Sequence, residues 1–171
     1  MQTAKDFLVK KTSISPSVRH NIMNTGMVFL YCDYAGFASQ NNYGVACSIV
    51  YNRTIHVTAK KLIIEHDEGS NYGELLAIVY SLEQLTTVLK IYQAKAAIIY
   101  TDCSSISRIL SEHYVRHPYY ENARDKVIAS LNHLNNMFPN VKININYIRK
   151  HKNNNPLHRM AHNAARKAAH N

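Results

Sequence analysis

No run of ~20 apolar residues occurs anywhere in the 171-residue chain, so no ordinary helical membrane span is expected. A signal peptide is not expected either: Met1-Gln2-Thr3-Ala4-Lys5-Asp6 is polar and has no long apolar stretch behind it. Cysteine is sparse. Cys32, Cys47 and Cys103 are odd in number, lie in or beside apolar runs and show no C-x-x-C spacing, which argues against a disulfide framework or a zinc ribbon and for reduced core thiols. These absences together predict a cytoplasmic protein. No internal repeat is visible.

Acidic residues are also few. Eleven Asp plus Glu face 20 Lys plus Arg, giving a formal charge of +9 and a pI near 9.5. Such a balance favours phosphate-bearing partners, and without a basic amphipathic anchor it favours nucleic acid over membrane. The length suits one domain able to bury about two-thirds of its unfolded surface. Abundant Asn, as in Asn153-Asn154-Asn155, carries no functional reading.

Against that scarcity of acid, the positions of three carboxylates stand out. Asp102 ends the apolar run Ala96-Ala97-Ile98-Ile99-Tyr100-Thr101, Asp33 ends Met27-Val28-Phe29-Leu30-Tyr31-Cys32, and Glu74 sits in the first turn of a helix opened by Ser70-Asn71-Tyr72-Gly73. Carboxylates raised on separate rigid elements suit a hard divalent cation acting on a polyanion.

The order of elements follows from periodicity. Residues 1 to about 25 form a basic extension or short helix, with Lys5, Lys10, Lys11 and Arg19, ahead of a domain over 26–171. Strands begin at Met27 and Gly44, and Asn52-Arg53 predicts a hairpin turn into Thr54–Leu62. Leu75, Leu76, Ile78, Val79, Leu82, Leu85 and Leu89 recur at helical spacing from Tyr72 to about Tyr92. A strand at 96–101, a helix from Ser104 or Ser105 to about His113, a helix from Glu121 to Met137, a strand from Val141 to Ile148 and an Ala-rich basic helix from Pro156 to Ala169 complete the pattern. The expected sheet is mixed and five-stranded, three antiparallel strands then two parallel ones, flanked by helices.

This order, with its acidic motifs, resembles the ribonuclease H family over about residues 27 to 169. Tyr31-Cys32-Asp33-Tyr34-Ala35 looks like its first-strand Asp motif, Ser70-Asn71-Tyr72-Gly73-Glu74-Leu75-Leu76-Ala77-Ile78 like its Glu-bearing helix, and Ile99-Tyr100-Thr101-Asp102-Cys103-Ser104 like its fourth-strand Asp motif. Tyr147-Ile148-Arg149-Lys150-His151 resembles the end of the fifth strand and its His-bearing loop. In Met160-Ala161-His162-Asn163-Ala164-Ala165 the family's usual last Asp is replaced by His162, and its Asn four residues earlier by His158. Some nucleases of the wider fold, Holliday-junction resolvases among them, use His at that last position.

The resemblance implies a metal-dependent endonuclease that cuts the RNA strand of RNA-DNA hybrids, leaving 5′-phosphate ends, with two Mg2+ or Mn2+ ions about 4 Å apart. Asp33, Glu74, Asp102 and His162 would be the ligands, and His151 would assist proton movement or product release. An imidazole at position 162 predicts manganese stimulation. Ser70 and Asn71 occupy positions that contact the hybrid's minor groove, and Lys150, Lys152, His158, Arg159, Arg166 and Lys167 surround the site. A monomer is expected. Two other functions stay open: a nuclease of this fold acting on structured DNA, and a nucleic-acid-binding module that has lost turnover.

Blander readings compete at each position. A lone strand-end Asp is most often a turn former or cap, and Glu74 could only complement the helix dipole. His158 and His162, four apart, could bind zinc with His151. Cys103, Ser104 and Ser105 read as core or capping groups, since no base can be paired with them. Tyr119-Tyr120 could stack bases or simply pack. The basic last helix could be a solvated face.

Overall fold

A computed structural model describes residues 2–10, 14–111, 117–149 and 154–171. In chain order the elements are β1 (Gln2–Thr3), α1 (Ala4–Lys10), α2 (Pro16–Met23), β2 (Met27–Phe37), β3 (Asn42–Tyr51), β4 (Thr54–Leu62), α3 (Ser70–Ile91), β5 (Ala96–Thr101), α4 (Ile106–Ser111), α5 (Pro118–Met137), β6 (Lys142–Tyr147) and α6 (Pro156–His170). One sheet runs β1-β4-β3-β2-β5-β6. Its β1–β4, β4–β3 and β3–β2 pairs are antiparallel, and its β2–β5 and β5–β6 pairs are parallel.

The sheet therefore has six strands where the pattern predicts five. The sixth is two residues long and pairs Gln2 with Ile55 and Thr3 with Thr54. It is too short for any alternation to register, and it covers backbone groups that the edge of β4 would otherwise leave open. The expected hairpin is present: Asn52 and Arg53 take φ of 46° and 56°, the left-handed pair that a two-residue turn with the right twist requires. Helix α5 starts at Pro118 rather than Glu121 because proline at the first helical position loses no hydrogen bond.

The two faces of the sheet carry different cores. Val28, Leu30 and Cys32 of β2 join Val45, Cys47 and Ile49 of β3 beneath Leu75, Ile78, Leu82 and Leu85 of α3 and Val127 and Leu134 of α5. Phe29 and Tyr31 point the other way, into a second cluster with Phe7, Val18 and Ile22 of the N-terminal helices and Leu157 of α6. Because the central strand is buried on both faces it reads as a continuous apolar run. Each fully buried Leu or Ile contributes roughly 1.5–3 kcal/mol.

Helix α6 lies unusually close to the sheet. Ala161, Ala165 and Ala169 are each 0% exposed, and a Cβ built on Gly44 of β3 would sit 2.7 Å from Ala169 N. Backbone meets backbone there, so only glycine fits beneath the helix. This contact sets the height of α6 over β2 and thus the position of everything α6 carries.

Candidate active site

Asp33 belongs to β2, but β2 does not end there as the sequence suggests. The strand continues to Phe37 through pairing with β3, Asp33 opposite Ala46, whereas its parallel pairing with β5 stops at Tyr31–Tyr100. Asp33 is therefore a mid-strand residue, 2% exposed, at the point where one neighbouring strand leaves the sheet. Asp102 follows the last residue of β5 directly. Thr101, fully buried, holds this corner: its Oγ1 accepts from Cys103 N at 3.1 Å and donates to Glu74 Oε2 at 3.3 Å.

Glu74 stands in the second turn of α3, since the helix opens at Ser70 and its first turn holds no acid. A dipole-complementing role accordingly loses force. Glu74 is buried, and burial first, then the charges of Asp102 and Asp33 and a hydrogen bond with Asp102, hold its carboxyl well above the usual range. The crowding of negative charge that raises it is the condition a bound cation would relieve.

The last helix supplies the imidazoles. Asn155 caps α6, its Oδ1 accepting from Leu157 N at 3.0 Å and His158 N at 3.1 Å, and Pro156 occupies the first turn. One turn on, His158 and His162 face β2 together. His158 Nε2 lies 3.3 Å from Asp33 Oδ1, and His162 Nδ1 lies 2.9 Å from Asp33 Oδ2. His158 Nε2 is buried and finds no hydrogen-bond geometry, whereas His162 keeps 44% of its side chain exposed.

Asp33, Asp102 and His158 each offer an atom within 4.8 Å of the others. Two carboxylate oxygens and one imidazole nitrogen fit a single divalent cation, with manganese or zinc better matched than magnesium. The orphaned Nε2 supports that fit, because a buried ring nitrogen without a partner costs stability unless something binds it. This centre is consistent with an altered version of an all-carboxylate site.

A cavity of about 310 Å³ brings six of the expected residues together: Asp33, Glu74, Asp102, His162, Ser70 and Asn71. His158 lies behind it, 2% exposed, among the donors rather than on a phosphate-facing surface. Arg159, Arg166 and Lys167 lie on the exposed side of α6. Lys150, His151 and Lys152 lie outside the described residues. Tyr120 packs against Tyr72, while Tyr119 sits between His66 and His117 and is 40% exposed. Among the described residues no helix is long and apolar enough to cross a membrane.

Residues 25–170 match the sequence model of the RNase H family. No curated protein matches the chain. Solved structures do. RNase H1 from the archaeon Halobacterium salinarum superposes with a TM-score of 0.62 at 16% identity, over 84% of this chain and 97% of that one. The N-terminal RNase H domain of a Mycobacterium tuberculosis protein gives 0.60 at 16%, over 85% and 98%. LC11-RNase H1 in complex with an RNA/DNA hybrid gives 0.57 at 18%, over 82% and 98%. Such identities speak for the fold alone, while the family match spans most of the sequence. The chain belongs to the RNase H family.

Proposed function

We propose that the chain binds structured nucleic acid and hydrolyses its phosphodiester backbone at an altered metal centre of the RNase H type. The carrying observation is that His158 and His162 occupy opposite oxygens of Asp33, next to Asp102 and a high-pKa Glu74. Asp33, Asp102 and His158 would hold one divalent ion, which when bound supplies Lewis acidity and a more acidic water. The chain's own residues orient and exclude: Thr101 fixes Glu74 and the Asp102 corner, and Asp33 orients the half-exposed His162 through Nδ1, which leaves Nε2 to take or give a proton. The formal charge of +9 and the exposed Arg159, Arg166 and Lys167 favour the phosphate backbone.

A second reading, cutting of the RNA strand of hybrids by two Mg2+ or Mn2+ ions, is favoured by Ser70 and Asn71 sharing the cavity with Glu74. With Glu74 and His162 joining Asp33 and Asp102, two ions would find four ligands, and the buried His158 would act behind them.

The discriminating experiment offers RNA-DNA hybrid, double-stranded RNA, duplex DNA and branched DNA with magnesium or manganese to the wild type and to Asp102→Asn. Manganese-favoured cutting of branched or hybrid substrate, lost in Asp102→Asn, is expected. Hybrid-only cutting that follows the square of the metal concentration would move the assignment to the second reading. Tight binding with no cutting by any metal would make the protein a binding module, and cutting retained in Asp102→Asn would reject the site.

A further inference from the structure

A larger recess, of about 620 Å³, opens on the same face of the sheet as Asp33. Its floor crosses three strands in register, since Tyr31 pairs with Tyr100 and Tyr100 with Asn146. The two tyrosine rings are stacked, 4.9 Å between centroids and 21° between planes. One wall is α2, through Ser17 and Asn21, and the opposite wall is formed by Ser107 of α4 and by Arg149. Asn21 Nδ2 donates to Tyr31 Oη at 2.8 Å, tying the α2 wall to the floor.

Three features of this recess define its occupant. Among the described residues no carboxylate lines it and Arg149 is the one charged group, so from these residues a ligand carrying negative charge meets a cation and no repulsion. Its other polar groups are amides and hydroxyls, which donate and accept as the edge of a nucleobase does. Its volume falls in the range of small-molecule pockets, about 300–1,000 Å³, too narrow for a double helix and ample for one nucleotide. The floor tyrosine is two residues before Asp33, and two residues along a strand span about 6.6 Å, so the recess adjoins the metal donors. Ser17 and Asn21 precede the family region, which begins at residue 25, and the wall they form belongs to this chain's own N-terminal segment.

We propose that this recess holds one unpaired nucleotide of the bound nucleic acid, its base against Tyr100 and the asparagine amides and its phosphate towards Arg149. The proposal rests on the reading of the protein as one that binds structured nucleic acid, and it makes the N-terminal segment a substrate-selecting wall. Duplexes interrupted by a bulge, flap or branch are thereby preferred over continuous ones.

The test measures affinity for two hybrids of equal length in EDTA, one fully paired and one with a single-nucleotide bulge, by fluorescence anisotropy. Wild type should bind the bulged hybrid about fivefold or more tightly, the least that stacking of one base is expected to contribute. Ser107→Phe, which puts a ring into the mouth from an exposed helix position, and Asn146→Leu, which removes an amide from the floor, should each bring the ratio towards one. Thermal melts identify which variants are folded, and either folded variant decides. Equal binding of the two hybrids by wild type, or a ratio unchanged in a folded variant, overturns the proposal while leaving the nucleic-acid reading in place. Failure to bind either hybrid would overturn both.

Discussion

His158 Nε2 and Asp33 Oδ1 face one another at 3.3 Å, both side chains 3% exposed, without forming a hydrogen bond. The imidazole nitrogen has no hydrogen-bond partner, and with Asp33 and Asp102 it makes a three-donor set able to hold a metal ion. Burial of such a pair without a ligand is costly, and the rigidity of α6 on the sheet is what sustains it.

Removing that imidazole should separate metal binding from folding. His158→Ala is expected to weaken manganese binding by at least about tenfold, the lower bound even for groups that only support a ligand. Calorimetric titration with Mn2+ gives the value; an unchanged affinity would place the metal elsewhere. His162→Asp is expected to move preference towards magnesium by replacing an imidazole with an oxygen donor.

Glu74 makes the metal-free protein sensitive to pH. Its folded-state pKa is raised above the ordinary value of 4.5 by burial and by the charges of Asp102 and Asp33, so between the two values the folded state holds more protons than the unfolded one. Stability then falls as pH rises through that window. In EDTA, Glu74→Gln should melt close to wild type near pH 4.5 and increasingly above it towards neutrality. A melting difference that shrinks with rising pH would contradict the assignment.

Gly44 should tolerate no side chain. A Cβ would meet the backbone of α6 at Ala169, where neither partner can rotate away, and overpacking of this kind costs roughly 1–3 kcal/mol. Gly44→Ala is expected to lower the denaturation midpoint and also to reduce metal affinity, because a lifted α6 withdraws His158 and His162 from Asp33. A destabilised variant with native metal affinity would show that α6 position and site are uncoupled.

All three thiols are buried, and burial pushes the Cys47 thiol up to about 12. The native protein at pH 8 should therefore leave Cys32, Cys47 and Cys103 unmodified by a thiol-specific disulfide reagent, with three equivalents reacting after denaturation. Rapid native labelling at any of them would mean that the core around it opens.

Much of this architecture is legible in residue order. Strand β5 matches its expected limits, 96–101, because a short apolar run between Ala94-Lys95 and Asp102 leaves little room for error. The Asn52-Arg53 turn declares itself because two residues between alternating runs admit few geometries. The β1 strand does not, since two residues have no period. Asp33 reads as a strand end because a polar residue interrupts an apolar run, yet backbone pairing with β3 continues past it. His158 reads as surface because histidine in a basic helix usually is. A signal was available: Ala161, Ala165 and Ala169 follow it at i+3, i+7 and i+11, the stripe that packs on the sheet.

What the sequence determines alone is the set of elements and the identity of the chemical groups, because periodicity, turn chemistry and side-chain type are local properties. It also determines the sign of the protein's field, +9 overall, since charge sums without reference to conformation. The tertiary structure decides which groups meet. His158 becomes a partner of Asp33, 125 residues away in the chain, only because glycine and alanine let α6 settle against β3, and the Glu74 carboxyl is pushed up only once packing buries it and α3, β5 and β2 bring it beside Asp102 and Asp33. Distances between remote groups, and the desolvation that accompanies them, exist only after the layers pack.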